Sequence, residues 1–391
     1  MKVPALVLGL SPTGLVPTRS LGRRGVAVYG ADFTDANLGR HSRYCTYVPE
    51  LTAVASTGNG QRLATALVRW ADEQPDRPVL FLTTDDFIEL LSPEADRIAS
   101  HFRMSTDLAR SGVRFLDKKS FYSICLAAEE EIPATYMPAD RSELANIGAG
   151  LRYPAIIKPA YGHQFLATLG GRKVVHVEGP EDLEPAWDSL VGVSPELIVQ
   201  EVIPGGDDTI LIAAVYSDSR GEPLATFVGR KIRQYPPGFG VSSLAESLWS
   251  DRVARRAQDF VRRTEFSGLC GLEYKLDARD SSLRMIEVNP RVELWLELAS
   301  KAGADLAYLA YAHLTGAPLP AIEQEEGIRW TYLLRDAMSG YRRNRSGELS
   351  LSEWVESRRN IQVGALWASD DVWPTLSFPA YSWQRWRRRR A

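Results

Sequence analysis

Residues Arg284 to Arg291 read Arg-Met-Ile-Glu-Val-Asn-Pro-Arg, so an extended segment here carries a carboxylate, Glu287, and an amide, Asn289, two positions apart before Pro290 ends it. Alternate residues of a strand share a face. Two oxygen donors side by side, with the guanidinium of Arg291 just beyond, suit a magnesium ion carrying a polyphosphate. Hard cations take oxygen ligands and arginine forks onto phosphate. A second short run, Gly271 to Asp277, supplies Glu273, fourteen residues before Glu287. Paired as antiparallel strands, the two runs clamp a metal between Glu273 and the Glu287/Asn289 pair. The same spacing also fits a hairpin with a solvated acidic face.

These groups need an α/β scaffold of more than one core. At 391 residues the chain exceeds one ordinary domain, and 45% hydrophobic with 24% charged residues is the composition of a globular protein. The net charge of −3 gives no general push toward nucleic acid. Cys45, Cys125 and Cys270 have no spacing that suggests a zinc knuckle or a disulfide framework, so a reducing cytoplasm is expected. The apolar opening up to Leu10 is too short to cross a bilayer and lacks a small-residue cleavage site, so it reads as a first strand.

Val3 to Leu10, a turn at Ser11 to Gly14, a helix from Leu15 to Arg24 and a strand from Val26 to Gly30 predict a parallel sheet. Pro78 to Leu82 adds a strand that ends at Thr83-Thr84-Asp85-Asp86. Ligands of such sheets sit at the carboxyl ends of the strands, so Ser11 to Gly14 and Thr83 to Asp86 line one expected crevice. Asp32 stands where a dinucleotide's ribose would bind, but Gly9 to Gly14 lacks the Gly-x-Gly-x-x-Gly spacing. Asp32 therefore reads as a strand-end turn residue.

Further on come a helix from Ser120 to Glu130, a short edge strand from Ile132 to Thr135, and an apolar strand ending in Lys158-Pro159. Then follow the loop Ala160 to Gly171 with Gly162, Gly170 and Gly171, the strand Leu197 to Ile203, and the turn Pro204-Gly205-Gly206-Asp207-Asp208. Strands from Ile210 to Tyr216 and from Leu224 to Arg230 precede a helix from Ser250 to Glu265, and a last helix is expected from about Leu294 to Gly303.

The order Lys118, Lys158, glycine loop, Glu201, the basic pair Arg230 and Lys231, Glu273, then Glu287-Val288-Asn289-Pro290-Arg291 resembles the ATP-grasp superfamily over roughly residues 1 to 315. Within it the closer likeness is to carboxylate-amine ligases of the D-aspartate-ligase-like kind. The resemblance implies an N-terminal open parallel-sheet domain (1–116), a small lid subdomain (117–200), an antiparallel-sheet catalytic subdomain (201–315) and a C-terminal extension (316–391). It implies an ATP-dependent ligase that forms an amide through an acyl phosphate, using magnesium, with manganese as an alternative.

Lys118 and Lys158 would hold phosphates under a lid containing Gly162, with Lys119 able to replace Lys118. Glu201, Val202 and Ile203 would form the adenine hinge, and Asp208 or Asp207 would take the ribose. Arg230 and Lys231 would reach the γ-phosphate or the acid, Arg291 the acyl phosphate, and Glu273, Glu287 and Asn289 the metal. The run Val292 to Glu297 is bulkier and more acidic than is usual after this motif. Glu293 there would select an amino substrate or simply start a helix.

Two alternatives remain from the residues: a nicotinamide-dinucleotide oxidoreductase on the first sheet, and a catalytically silent nucleotide-binding scaffold near a membrane. The partners expected are a small carboxylate and an amine, without nucleic acid. The end of the chain, with Trp354, Trp367, Trp373, Trp383 and Trp386 before Arg387 to Arg390, fits either a subdomain packed on the core or weak contact with an anionic membrane surface.

Overall fold

Short, wholly apolar strands near the start of the chain pair in parallel. In the computed structural model, which describes residues 2–160, 174–192, 194 and 196–388, β1 (Ala5–Leu8), β2 (Val28–Ala31), β3 (Cys45–Tyr47), β4 (Val79–Leu82) and β5 (Arg103–Met104) form one sheet in the order β3-β2-β1-β4-β5. β1 and β4 are buried throughout, as strands covered on both faces must be. The order reverses between β1 and β4, which opens a crevice at their carboxyl ends. Gly9 shapes its floor: its φ is +95°, and a Cβ there would meet Thr83 Oγ1 at 2.4 Å. Asp32 accepts from the amides of Leu10 (2.6 Å) and Phe33 (2.7 Å), the turn role expected of it.

A four-stranded sheet follows, β6 (Thr135–Tyr136), β7 (Ala155–Pro159), β8 (Val175–Val177) and β9 (Leu197–Glu201), ordered β6-β9-β7-β8 and antiparallel. It packs on Leu183, Trp187 and Leu190 of the helix Pro180–Val191. The helix Lys118–Ala127, expected with this unit, instead buries Phe121, Tyr122 and Cys125 in the core of the next sheet.

That sheet has seven strands: β10 (Ile210–Ser217), β11 (Pro223–Tyr235), β12 (Val241–Ser247), β13 (Gly268–Leu276), β14 (Leu283–Asn289), β15 (Arg329–Thr331) and β16 (Ile361–Gly364), in the order β14-β13-β10-β11-β12-β15-β16. Ala213, Val215 and Leu272 pack on the helix Asp251–Arg263, whose apolar residues 253, 257, 260 and 261 recur at helical spacing behind a Ser250 cap. Ile212, Ala214 and Tyr216 face the opposite way, into a core shared with Leu296 and Leu309.

Two expectations change. The helix expected at about Leu294 to Gly303 is Leu296–Lys301, but it is not the last: a second helix, Leu306–Thr315, follows it. Gly303 turns the chain with φ +89°, and Asp305 caps the second helix through the Tyr308 amide. The division at residue 316 is no structural break, because β15 and β16 extend the large sheet. Farther along, the fully buried Arg19 binds Asp371 at 3.0 Å and Glu297 at 3.3 Å, tying the C-terminal region to the first domain. Trp330 is buried in this arrangement, while Trp367, Trp373 and Trp383 are exposed. Among the described residues no helix is long and apolar enough to cross a membrane.

Candidate active site

The pairing of β13 with β14 sets Glu273 directly opposite Glu287 and Gly271 opposite Asn289. Directly opposed residues of antiparallel strands project to the same side, so the three predicted ligands share one face, as expected if the two runs paired. Among the described residues no group of three or more His, Cys, Asp or Glu is arranged to hold a metal. The candidate set is two carboxylates and an amide, all hard oxygen donors, which fits magnesium completed by phosphate oxygens.

Lys231 lies on this face too. Its buried ammonium donates to Glu273 Oε2 at 2.6 Å and to Gln234 Oε1 at 3.4 Å. Arg230 is a correction to the expected basic pair. Neighbouring strand residues point to opposite sides, and Arg230, opposite Leu211, binds Glu246 from the other face of the sheet, Nε to Oε1 at 3.1 Å.

Arg291 leaves the end of β14 and forks onto Asp85 of the first domain, the first residue of the helix Asp85–Leu91. It also donates to Glu293 Oε1 and Asn289 Oδ1, each at 3.3 Å, while the Val292 amide reaches Leu82 O at 3.4 Å. The strand-end crevice of the first sheet thus meets the end of β14. Burial alone would lower the Arg291 pKa, but Asp85 and Glu293 more than offset it, and the guanidinium is raised above its ordinary value. Burial pushes Glu293 up to about 7 against the pull of Arg291, with Glu273, Glu287 and Asp85 pushing the same way as burial. Glu293 has room because residue 271 is glycine: a Cβ there would meet Glu293 Cγ at 2.5 Å.

Lys158, at the end of β7, is buried, not a solvated surface lysine. Its ammonium donates to Tyr122 OH (2.9 Å) and Gln200 Oε1 (2.8 Å), and Gln200 in turn donates to Tyr122 OH and Thr135 Oγ1. With neutral oxygens as these partners, burial pulls its pKa down to about 8 although Glu287 raises it. Lys118 opens the helix that carries Tyr122 and its charge is felt there, whereas Lys119 is exposed and pairs with Glu196 at 3.4 Å.

The expected hinge is more occupied than its sequence suggests. Glu201 accepts from the Ala134 amide (2.9 Å) and from Arg279 (3.1 Å), so its carboxylate holds the chain instead of facing a ligand. The Val202 amide donates to Pro154 O at 2.9 Å and is a correction as an adenine donor. Ile203 is buried beside it. Asp207 accepts from the Gln234 amide at 3.0 Å and pairs with Arg343, which removes it from ribose binding. Asp208 is exposed in the turn Asp207–Thr209. Lys275, two residues after Glu273, feels both aspartates and donates to Gly205 O at 2.9 Å. Gly162 and the loop around it lie outside the described residues.

Sequence reasoning missed Asp85, Tyr122, Gln200 and Lys275 as individual residues. Position at a strand end marked Asp85, and alternation from Glu273 marks Lys275; nothing local marked Tyr122 or Gln200.

Comparisons with known proteins bear on the whole arrangement. Residues 243–322 match the family model of the carbamoyl-phosphate synthase L chain, ATP binding domain. The chain is 22% identical over 240 residues to D-aspartate ligase of Enterococcus faecium, covering 59% of this chain and 56% of that one. It is 27% identical over 244 residues to the carbamoyl phosphate synthase large chain of Rubrobacter xylanophilus, covering 56% of this chain and 22% of that one. It therefore spans about half or less of the length of these relatives. Among solved structures, an ADP complex of N5-carboxyaminoimidazole ribonucleotide synthetase superposes with a TM-score of 0.67 at 13% identity, covering 88% of this chain and 86% of that one. The L-amino acid ligase of Bacillus licheniformis gives 0.58 at 15% identity, covering 83% and 78%.

Proposed function

From the premise that this chain has the ATP-grasp fold and resembles carboxylate-amine ligases of the D-aspartate-ligase-like kind, we propose that it joins a carboxylate to an amine at the expense of ATP. The observation that carries this reading is the shared face of Glu273, Glu287 and Asn289 with Lys231 bonded into it and Arg291 at its edge. Lys158 and Lys118 bind the phosphates, the carbonyl of Val202 and the amide of Ile203 meet the adenine edge, and Asp208 takes the ribose. Glu273, Glu287 and Asn289 hold magnesium, or manganese in its place. The bound ion supplies charge that neutralises the phosphate oxygens.

In the first step an oxygen of the substrate carboxylate attacks the γ-phosphorus, the bond to the bridging oxygen breaks, and ADP leaves. Lys231 and Arg291 orient the acid and offset the charge on the transferred group. In the second step the amine nitrogen attacks the acyl carbon, phosphate departs, and the amine's proton goes to solvent. Arg291 donates to the oxyanion that forms, and the neighbouring Glu293 favours an amino substrate over a neutral one. A cytoplasmic setting fits the ATP requirement and the free thiols of Cys45, Cys125 and Cys270.

Incubation with ATP, magnesium and pooled amino acids, followed by ADP quantification and product mass spectrometry, tests the proposal. The expected product has the mass of its two precursors less one water. Absence of amino-acid-dependent ADP, with tight NADH binding instead, would replace this reading with the oxidoreductase.

A further inference from the structure

The helix Leu333–Arg345 is turned inside out. Asp336, Ser339, Gly340 and Arg343 make up the face against the protein, where Asp336 is fully buried and accepts from Arg233 (2.9 and 3.2 Å), Trp354 Nε1 (3.1 Å) and Arg358 (3.3 Å). Arg343 reaches past this face to Asp207. The opposite side, where helical spacing places Leu334, Met338 and Tyr341 together, is apolar and open. Leu333, Leu334, Met338 and Tyr341 are 60%, 48%, 41% and 62% exposed. An ordinary surface helix has the reverse polarity, so an outward apolar stripe calls for something to cover it.

The stripe is framed by charge of one sign. Arg335, Arg342 and Arg345 stack over the rings of Tyr332, Tyr235 and Tyr341 at 4.7, 5.0 and 6.0 Å, and none of the three makes an ion pair among the described residues. Tyr235, Met338, Tyr341, Arg342 and Arg345 line an open cavity of about 670 Å³. The bias is regional: residues 329–391 hold twelve arginines against six acids in a chain whose net charge is −3. Apolar side chains flanked by arginine and tyrosine, on a helix in the plane of the surface, are what an anionic lipid interface accepts, with acyl chains covering the stripe and phosphates meeting the guanidinium groups.

We propose that the outward face of Leu333–Arg345 docks the protein on an anionic phospholipid surface. The contact leaves the inward face, and hence the Asp336 and Asp207 networks, unchanged. The proposal is independent of which reaction the candidate site performs.

The test is co-sedimentation of the full chain with phosphatidylcholine vesicles, with and without roughly a third phosphatidylglycerol, at ~0.1 M salt. Binding to the anionic vesicles alone is expected. L334E with M338E should lower the bound fraction about tenfold, and R342A with R345A several-fold, with unchanged thermal melting because all four positions are exposed. Three results would each overturn the proposal. One is no binding to anionic vesicles. Another is variants that bind like the parent while removal of residues 382–391 abolishes binding. The third is a concentration-dependent dimer that M338E dissociates, without vesicle binding, which would assign the face to a second copy of this chain.

Discussion

Lys231 and Arg233 stand two residues apart on β11, both buried, both paired to a carboxylate, and they are built for different ends. Arg233 forks onto Asp336 and donates to Ser357 Oγ at 2.7 Å, and Asp336 receives Trp354 and Arg358 as well. Every charge there meets a partner from the chain itself. Lys231 meets Glu273, and beside that pair stands the Glu287 carboxylate on the same face, while Lys158 has two neutral oxygens as its hydrogen-bond partners. A charge network closed by its own chain holds a fold; like and unlike charges gathered on one face at strand ends are what the proposed site would present to a polyphosphate and a cation.

The sharpest way to break this comparison is at the closed network. Asp336→Ala leaves the buried Arg233 and the half-buried Arg358 without their acid and should cost about 3–5 kcal/mol in urea unfolding; a cost below about 1 kcal/mol would mean the network holds little. In the open region, Glu287→Gln should lower ADP formation about 10²–10³-fold while the melting temperature stays that of the parent. Near-normal turnover would remove Glu287 from the metal.

Lys158→Met should weaken ATP binding about tenfold in calorimetry, without loss of stability in the absence of nucleotide. The sign follows from burial. The folded pKa of about 8 lies below the ordinary 10.5, so folding disfavours the ammonium. That cost is fully present below pH 8 and fades as pH rises toward 10.5. The variant should therefore be at least as stable as the parent at pH 7, and a clear loss of stability would instead give Lys158 a structural role.

The smallest effect is a proton count. ATP favours the charged lysine, so binding at pH 8.5 should take up a fraction of a proton, which Lys158→Met abolishes. Calorimetry in buffers of different ionisation enthalpy measures it, with Glu287 as the nearby charge to control.

Much of the architecture was legible from local pattern. The strands around Leu6, Leu80, Ile157 and Val199 announced themselves as apolar runs, and each was placed to within a few residues. The helix Leu306–Thr315 and the continuation of the large sheet through Trp330 were not foreseen. The first follows a left-handed turn at Gly303, where the expected helix ended, and the second is a three-residue strand too short to leave a period.

By itself the sequence determined that Glu287 and Asn289 share a face, because side-chain alternation along a strand is a local property with a period of two; Glu273 joins them through the register of β13 on β14. Tertiary structure alone decided that Asp85 clamps Arg291 across 206 residues, that Tyr122 and Gln200 bury Lys158, and that the helix at Leu333 shows its apolar side outward. Those outcomes depend on which elements pack together, and no residue's immediate neighbours in the chain encode that.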